Sequence, residues 1–301
     1  MNCKLIALPV VLGTAALAAA GALAQETTVV ELAGRTHFHG IALDRADPER
    51  LLLATHHGLY EVRIDGAARR ISRTADDLMG FAPHPGERDR FFSSGHPATG
   101  GNLGFLESRD GGRSWTRLAD GVGGPVDFHQ MAVSMADPNV ITGVYRIVQR
   151  SADGGRTWRA VGPPPEGLIA LAASAKDREV LYAATRQGVL RSADGGRGWT
   201  TTGAPRGTAT AIHVTGDGTI YAFLAGTGMM RAAEPGADWR PAAIGLGGEL
   251  VIHLVIDPAD ANRMAAVTYD PATRMQAVAV SDDGGLTWTT LGRDPPSGHQ
   301  H

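Results

Sequence analysis

The chain is poor in cysteine, in aromatic side chains and in excess charge of either sign. Its one cysteine, Cys3, excludes a disulfide framework and leaves no thiolate for a structural zinc site further along. A formal net charge of −3 over 301 residues carries no basic footprint, so no nucleic-acid partner is expected. Hydrophobic residues, at 43%, are an ordinary share, which excludes a bundle of membrane helices. The length suffices to bury a large core in one domain or two.

The first residues read as a leader rather than as part of the fold. Lys4 supplies a positive start, "LIALPVVLGTAALAAAGA" an apolar stretch, and "ALA" a small-residue cleavage site before Gln25. Residues 1–24 are therefore expected to be a signal peptide, and the mature protein to be periplasmic or secreted, with no membrane association after cleavage. Lipid anchoring would need a cysteine just after the apolar run, and Cys3 precedes it.

What is abundant is repetition. "SRDGGRSW" (108–115), "SADGGRTW" (151–158), "SADGGRGW" (192–199) and "SDDGGLTW" (281–288) recur at roughly 40-residue steps, the last step being about two periods. A worn copy, "AAEPGADW" (232–239), falls in the gap. Asp can bond the backbone two residues on, and the glycines supply the positive φ of a tight hairpin. Each copy is thus a staple between two strands, its Trp packing between neighbouring sheets. Upstream of each staple lie two more short apolar runs split by turn residues, such as "GIALD" and "RLLLAT" around "RADPE". Four β-runs per unit make a four-stranded antiparallel blade. Six units, 34–74, 75–121, 122–162, 163–204, 205–243 and 244–292, predict an all-β, six-bladed propeller over 25–292, followed by a histidine-containing tail at 293–301. "TTVVELA" (27–33) reads as an extra outer strand. It either closes the ring on the last blade or belongs to a seventh, irregular blade.

The motif S-x-D-x-G-x-x-W resembles the Asp-box, or BNR, repeat of sialidases, sortilin-type receptors, photosystem assembly factors and many exported bacterial proteins. The resemblance covers residues 37–292 and implies the propeller fold. The layout also resembles exported bacterial proteins classed as sialidase-like glycosyl hydrolases. Such a site implies an arginine cluster for a carboxylate, a tyrosine nucleophile with a glutamate, and an acidic proton donor. The family's early Arg-Ile-Pro signature is missing, and "GRTHFHG" stands in its neighbourhood. Arg146, Arg186, Tyr269, Asp270 and Glu249 are scattered candidates without a matching motif.

Histidine is the other concentrated residue, with four between positions 37 and 57. Alignment of the first strand of each unit matches His39 with Met79 and His129; His37 and Asp127 lie two residues earlier, on the same side. In the second strand "LATHHG", "FSSGHP" and "ITGVYR" match His57 with His96 and Arg146, while His56 matches Arg186. The start of strand one and the end of strand two lie at the same face of a blade. His37, His39, His57, His96, His129, Met79 and Asp127, with His56 as a further member, are therefore expected at one mouth of the channel. Imidazole is a common ligand of transition metals. A His set with a Met79 thioether favours copper; three His with Asp127 suit zinc as well. His84, His213 and His253 are out of register with this cup, and the tail residues His299 and His301 carry no weight. The glycine-rich segment 95–105 is expected on the cup face as a loop or lid. The leading expectation is a monomeric, exported metal-binding protein in metal handling or resistance, with a possible periplasmic protein partner. A sialidase-like or metal-dependent hydrolase and a non-catalytic docking scaffold are the alternatives.

Overall fold

A computed structural model describes residues 26–243, 246 and 248–293. The expected leader, and the tail residues His299 and His301, lie outside the described residues. Six antiparallel sheets follow one another along the chain. Their inner strands are Phe38–Leu43, Asp77–Pro83, Gln130–Val133, Leu168–Ala173, Ala209–Val214 and Leu250–Ile256. Each inner strand contacts the next and the sixth contacts the first, which closes a ring around a central channel. The structure is the six-bladed propeller that the repeat predicts, each blade four strands deep in sequence order, with one added strand on blade one.

Side-chain alternation explains why blades stack. In the second strand of blade one, Leu51 and Leu53 join a core with Ala265, Val267 and Val278 of blade six. Their neighbours Leu52 and Ala54 turn the other way, into a core with Phe81 and Phe91 of blade two. Successive residues of a strand face opposite sides, so a sheet apolar on both faces needs a neighbour on each. Radial repetition supplies both.

The four staples share one hydrogen-bond pattern. In blade three, the Ser151 hydroxyl donates to Asp153 (2.8 Å) and accepts from the Gly155 amide (2.9 Å). Asp153 accepts further from the Thr157 amide (2.9 Å) and hydroxyl (2.6 Å). Ser108, Ser192 and Ser281 organise their turns in the same way. Gly155 has φ +91°, and a Cβ there would lie 2.0 Å from the Phe105 ring, so both backbone conformation and space demand glycine. The amides of Gly111, Gly154, Gly195 and Gly284 donate to Asp89, Asn139, Glu179 and Asn262, in the turn between strands one and two of the same blade. The staples therefore sit at the end of the channel opposite the histidine-bearing strand ends.

Ring closure differs from the expectation for residues 27–33. Only Thr27–Thr28 is a strand, and it pairs with Ala67–Ala68 at the outer edge of blade one, not with blade six. Val29–Ala33 is a short helix. Thr28 and Glu31 cap each other reciprocally, which favours helix over strand at this point. Val29 and Leu32 are buried in the core shared by blades one and six. The helix is thus a wedge in the closing seam. Gln276 of blade six accepts from the Phe38 amide (2.7 Å), and Arg263 donates to the Pro48 carbonyl (2.6 Å), adding polar ties across it. Among the described residues no helix is long and apolar enough to cross a membrane.

Candidate metal centre

The mouth of the channel is built by strand register. Leu51 pairs with Leu43, Phe91 with Pro83, Ile141 with Val133 and Leu181 with Ala173. Counting along the second strand from these equivalent pairs places His56, His96, Arg146 and Arg186 at one level. The aligned partner of His96 is therefore His56, not His57. One residue of slip reverses the face that a strand residue occupies, and His57 is exposed at the turn, outside either cluster.

On the inner strands, the pairing of blade one skips a residue between Phe38 and Gly40, so His39 stands out of the ladder as a bulge. It lines the channel cavity, as does His129. Met79 is paired with Ser94 and is buried in its blade, while Gly80 and Phe81 line the cavity next to it.

Two triads result. In the first, His56 Nδ1 lies 2.7 Å from Asp77 Oδ2. A carboxylate only accepts, so that nitrogen carries the proton. His39 Nε2 is almost equidistant from both ring nitrogens of His56, at 3.1 and 3.2 Å, with the rings edge-on at 4.2 Å. It also lies 3.6 Å from Asp77 Oδ1. In the second triad, Asp127 Oδ2 faces His129 Nε2 at 2.8 Å and His96 Nε2 at 2.9 Å. His96 Nδ1 donates to the Gly101 carbonyl at 2.8 Å. That bond places a proton on Nδ1, and Nε2 faces the carboxylate oxygen either as the second N–H of an imidazolium or as a lone pair. Two acceptors at 2.9 Å require a cation between them, either a proton or a metal ion.

Both carboxylates also hold an orphaned atom. Asp77 Oδ1 and Asp127 Oδ1 are buried without a hydrogen-bond partner. A buried unpaired charge-bearing oxygen is costly. In each triad the three ligand atoms lie within 4.8 Å of one another. The edges of a tetrahedron with metal–nitrogen bonds of 2.0–2.1 Å are about 3.3 Å, so the triads need only small adjustments to hold an ion.

The electrostatics favour neutral imidazole on one side. Burial, reinforced by His56, His253, His37 and His129 nearby, pushes His39 down to about 3. Burial lowers His253 to about 4, against an opposing bond to the Phe38 backbone, and it lowers His213 to about 4. Both line the channel, although sequence alignment leaves them outside the cup. The hydrogen bond that His129 donates to Asp127 raises the His129 imidazole. Burial pushes Asp127 up, but His129 and His96 more than offset this and its carboxyl is lowered.

Of the expected members, His39, His96, His129 and Asp127 are ligand-capable in the triads, and His56 joins them in full. His37 is exposed, its ring 5.5 Å from that of His56, at the edge of the first triad. Asp77 is missing from the expectation. It stands two residues before Met79 as Asp127 stands two before His129, and that parallel was the signal available. The 95–105 segment is on this face, with the Asn102 side chain donating to the Pro125 carbonyl (2.9 Å) and to Tyr145 (3.1 Å).

Of the residues expected for a sialidase-type site, Arg146, Asp270 and Glu249 have local partners of their own. Arg146 and Arg186 are exposed, and the Arg146 guanidinium covers the Tyr145 ring at 5.2 Å. Asp270 caps the turn at Ala272 and Thr273. Glu249 faces Arg293 at 3.6 Å. Below the mouth the channel encloses about 310 Å³, walled mainly by small and aliphatic side chains such as Ile41, Ile169, Ala211 and Leu254.

No family model and no curated protein matches the chain. Solved structures do. The GH74 xyloglucanase of Xanthomonas campestris is similar over 90% of this chain and 47% of its own, with a TM-score of 0.56 and 19% identity. A GH74 enzyme of Niastella koreensis gives a TM-score of 0.55 at 16% identity, over 85% of this chain and 45% of its own. The Cps50 (Swd1) β-propeller domain of Myceliophteria thermophila gives 0.54 at 10% identity, over 86% and 88%. The chain spans about half the length of the GH74 enzymes. At these identities the likeness establishes the propeller fold alone.

Proposed function

We propose that this protein binds a transition-metal ion at the channel mouth, through imidazole and carboxylate ligands, in metal handling or resistance outside the cytoplasm. The observation that carries the proposal is His96. Its Nδ1–H is held by a backbone carbonyl, the arrangement that metal-ligating imidazoles commonly show, and its Nε2 meets a buried carboxylate that has an oxygen to spare. Nitrogen and oxygen donors suit Cu(II) and Zn(II) alike. With Met79 paired inside its blade, the thioether argument for Cu(I) loses its support, and zinc stands level with copper.

The glycosidase alternative draws on the fold shared with GH74 enzymes. It needs a carboxylic acid whose pKa is raised so that it can protonate a leaving group. At the channel mouth Asp127 does not supply that acid, since its two imidazoles hold its carboxyl low. The test is metal content by mass spectrometry of untagged protein, followed by titration with Cu(II) and Zn(II). Tight stoichiometric uptake supports the proposal. A metal-free protein with no uptake, or one that hydrolyses xyloglucan or a sialoside equally well with chelator, rejects it.

A further inference from the structure

The two triads are related by a one-blade step around the ring. His56 ends the second strand of blade one and meets Asp77, which begins the inner strand of blade two, at 2.7 Å. His96 ends the second strand of blade two and meets Asp127, just ahead of the inner strand of blade three, at 2.9 Å. The same imidazole–carboxylate clasp therefore closes two consecutive interblade grooves. The repeat stops at the third groove, where the level of His56 and His96 is taken by Arg146.

Each clasp gains a third ligand from a different place. The first recruits His39, from the blade that supplies its histidine; the second recruits His129, from the blade that supplies its aspartate. The triads share no side chain, yet Asp77 and His96 are directly opposed partners on neighbouring strands of blade two. Two complete donor sets stand side by side, each with its own unpartnered buried carboxylate oxygen. The second carboxylate is the more deeply placed, its side chain only 4% exposed.

Resting on the metal-binding reading above, we propose that the mouth is a two-ion centre, with one ion in each interblade clasp and with the two ions held unequally. The inequality follows from solvent access. In the first triad the side chains of His39, His56 and Asp77 are 15, 40 and 15% exposed. In the second, both imidazoles are open, His96 at 42% and His129 at 54%. The first clasp retains its ion behind His39 and the neighbouring His253. The second presents its ion to solvent beside the exposed loop at Gly100 and Gly101. A retained ion next to an exchangeable one suits a carrier that hands over its cargo from one position.

The experiment uses the full chain with His299→Ala and His301→Ala, so that tail ligands are absent, and counts Zn²⁺ after equilibrium dialysis. Two ions per chain are expected. Asp77→Asn with His39→Gln should lose one, and Asp127→Asn with His129→Gln should lose the other. Isotope exchange should be faster for the ion that remains in the first of these variants than for the ion that remains in the second. Near-UV circular dichroism checks that both variants retain the fold. A single ion, whether abolished by both variants or by one, overturns the two-ion centre and leaves the metal-binding reading standing. Absence of any ion overturns that reading first.

Discussion

At the scale of single residues, what matters is which ring nitrogen is free. His56 commits Nδ1 to Asp77, and His96 commits Nδ1 to a carbonyl; each then has Nε2 available, the condition for a ligand. His57, one position on, is exposed and its amide bonds back to Thr55. Replacing His56 with Ala should weaken Zn²⁺ or Cu²⁺ binding by more than ~10-fold, whereas His57→Ala should leave it unchanged in competitive titration. Equal losses from both variants would contradict this strand register. The neutral channel imidazoles also make acid stability a residue-level question. His39, His213 and His253 are lowered to about 3, 4 and 4, against about 6.5 when unfolded. The unfolded chain therefore binds protons that the folded chain refuses. Their contribution is complete above about pH 6.5 and is lost as pH falls toward 4 and then 3. Each proton adds a slope of about 1.4 kcal/mol per pH unit. His129 has the opposite sign: raised by Asp127, its share is present at low pH and lost as pH rises through its folded value. Urea midpoints of metal-free protein should fall between pH 6.5 and 4.5, and His213→Leu should make that fall shallower. An identical pH profile in the variant would refute the assignment.

At the scale of elements, the staples and the strand ends were unequally legible. "SADGGRTW" announces its turn because its polar residues and glycines have local jobs: serine and aspartate bond within the turn, and glycine supplies the backbone. Asp153 collects four donors and its carboxyl is lowered to about 2. Asp153→Ala removes these bonds, and a loss of about 1–3 kcal/mol is expected, read from the urea transition with Trp158 fluorescence. The ligand level of the second strands was harder. Two adjacent histidines fit either face, composition does not choose between them, and only the pairing of Leu51 with Leu43 settles the count. Asp77 is harder to single out in the sequence because it lies before a methionine rather than a histidine. The segment 27–33 misled for a different reason. Its β-branched residues favour a strand, but the Thr28–Glu31 capping box and burial of Val29 and Leu32 favour a helix, and tertiary packing decides.

At the scale of the whole molecule, closure is the vulnerable step. Among the described residues each blade is made from consecutive chain, with no strand exchanged between first and last. The seam between blades six and one is held by their shared apolar core, into which the wedge helix inserts Val29 and Leu32, and by a few side-chain ties. Leu32→Ala should cost about 2–5 kcal/mol, the range for truncating a buried leucine, and should do so through the seam. Hydrogen exchange should then quicken first in the strands Phe38–Leu43 and Leu250–Ile256. Uniform acceleration around the ring would argue against a localised weak joint.

The skipped residue in the inner strands has a wider consequence. In blade one it is His39; in blades four, five and six the same irregularity frees Ile169, Thr210 and Ile252. Because such a residue has no partner in the cross-strand ladder, the ladder does not dictate its identity, although Thr210 ties its blade to the next through the Val251 carbonyl at 2.6 Å. The rim works like a keypad with interchangeable letters: imidazole typed on one arc, and Ile169 and Ile252 on the arc facing it. A visitor travelling down the axis meets different chemistry at different azimuths, so the tube admits a preferred orientation even though its frame is nearly rotationally symmetric.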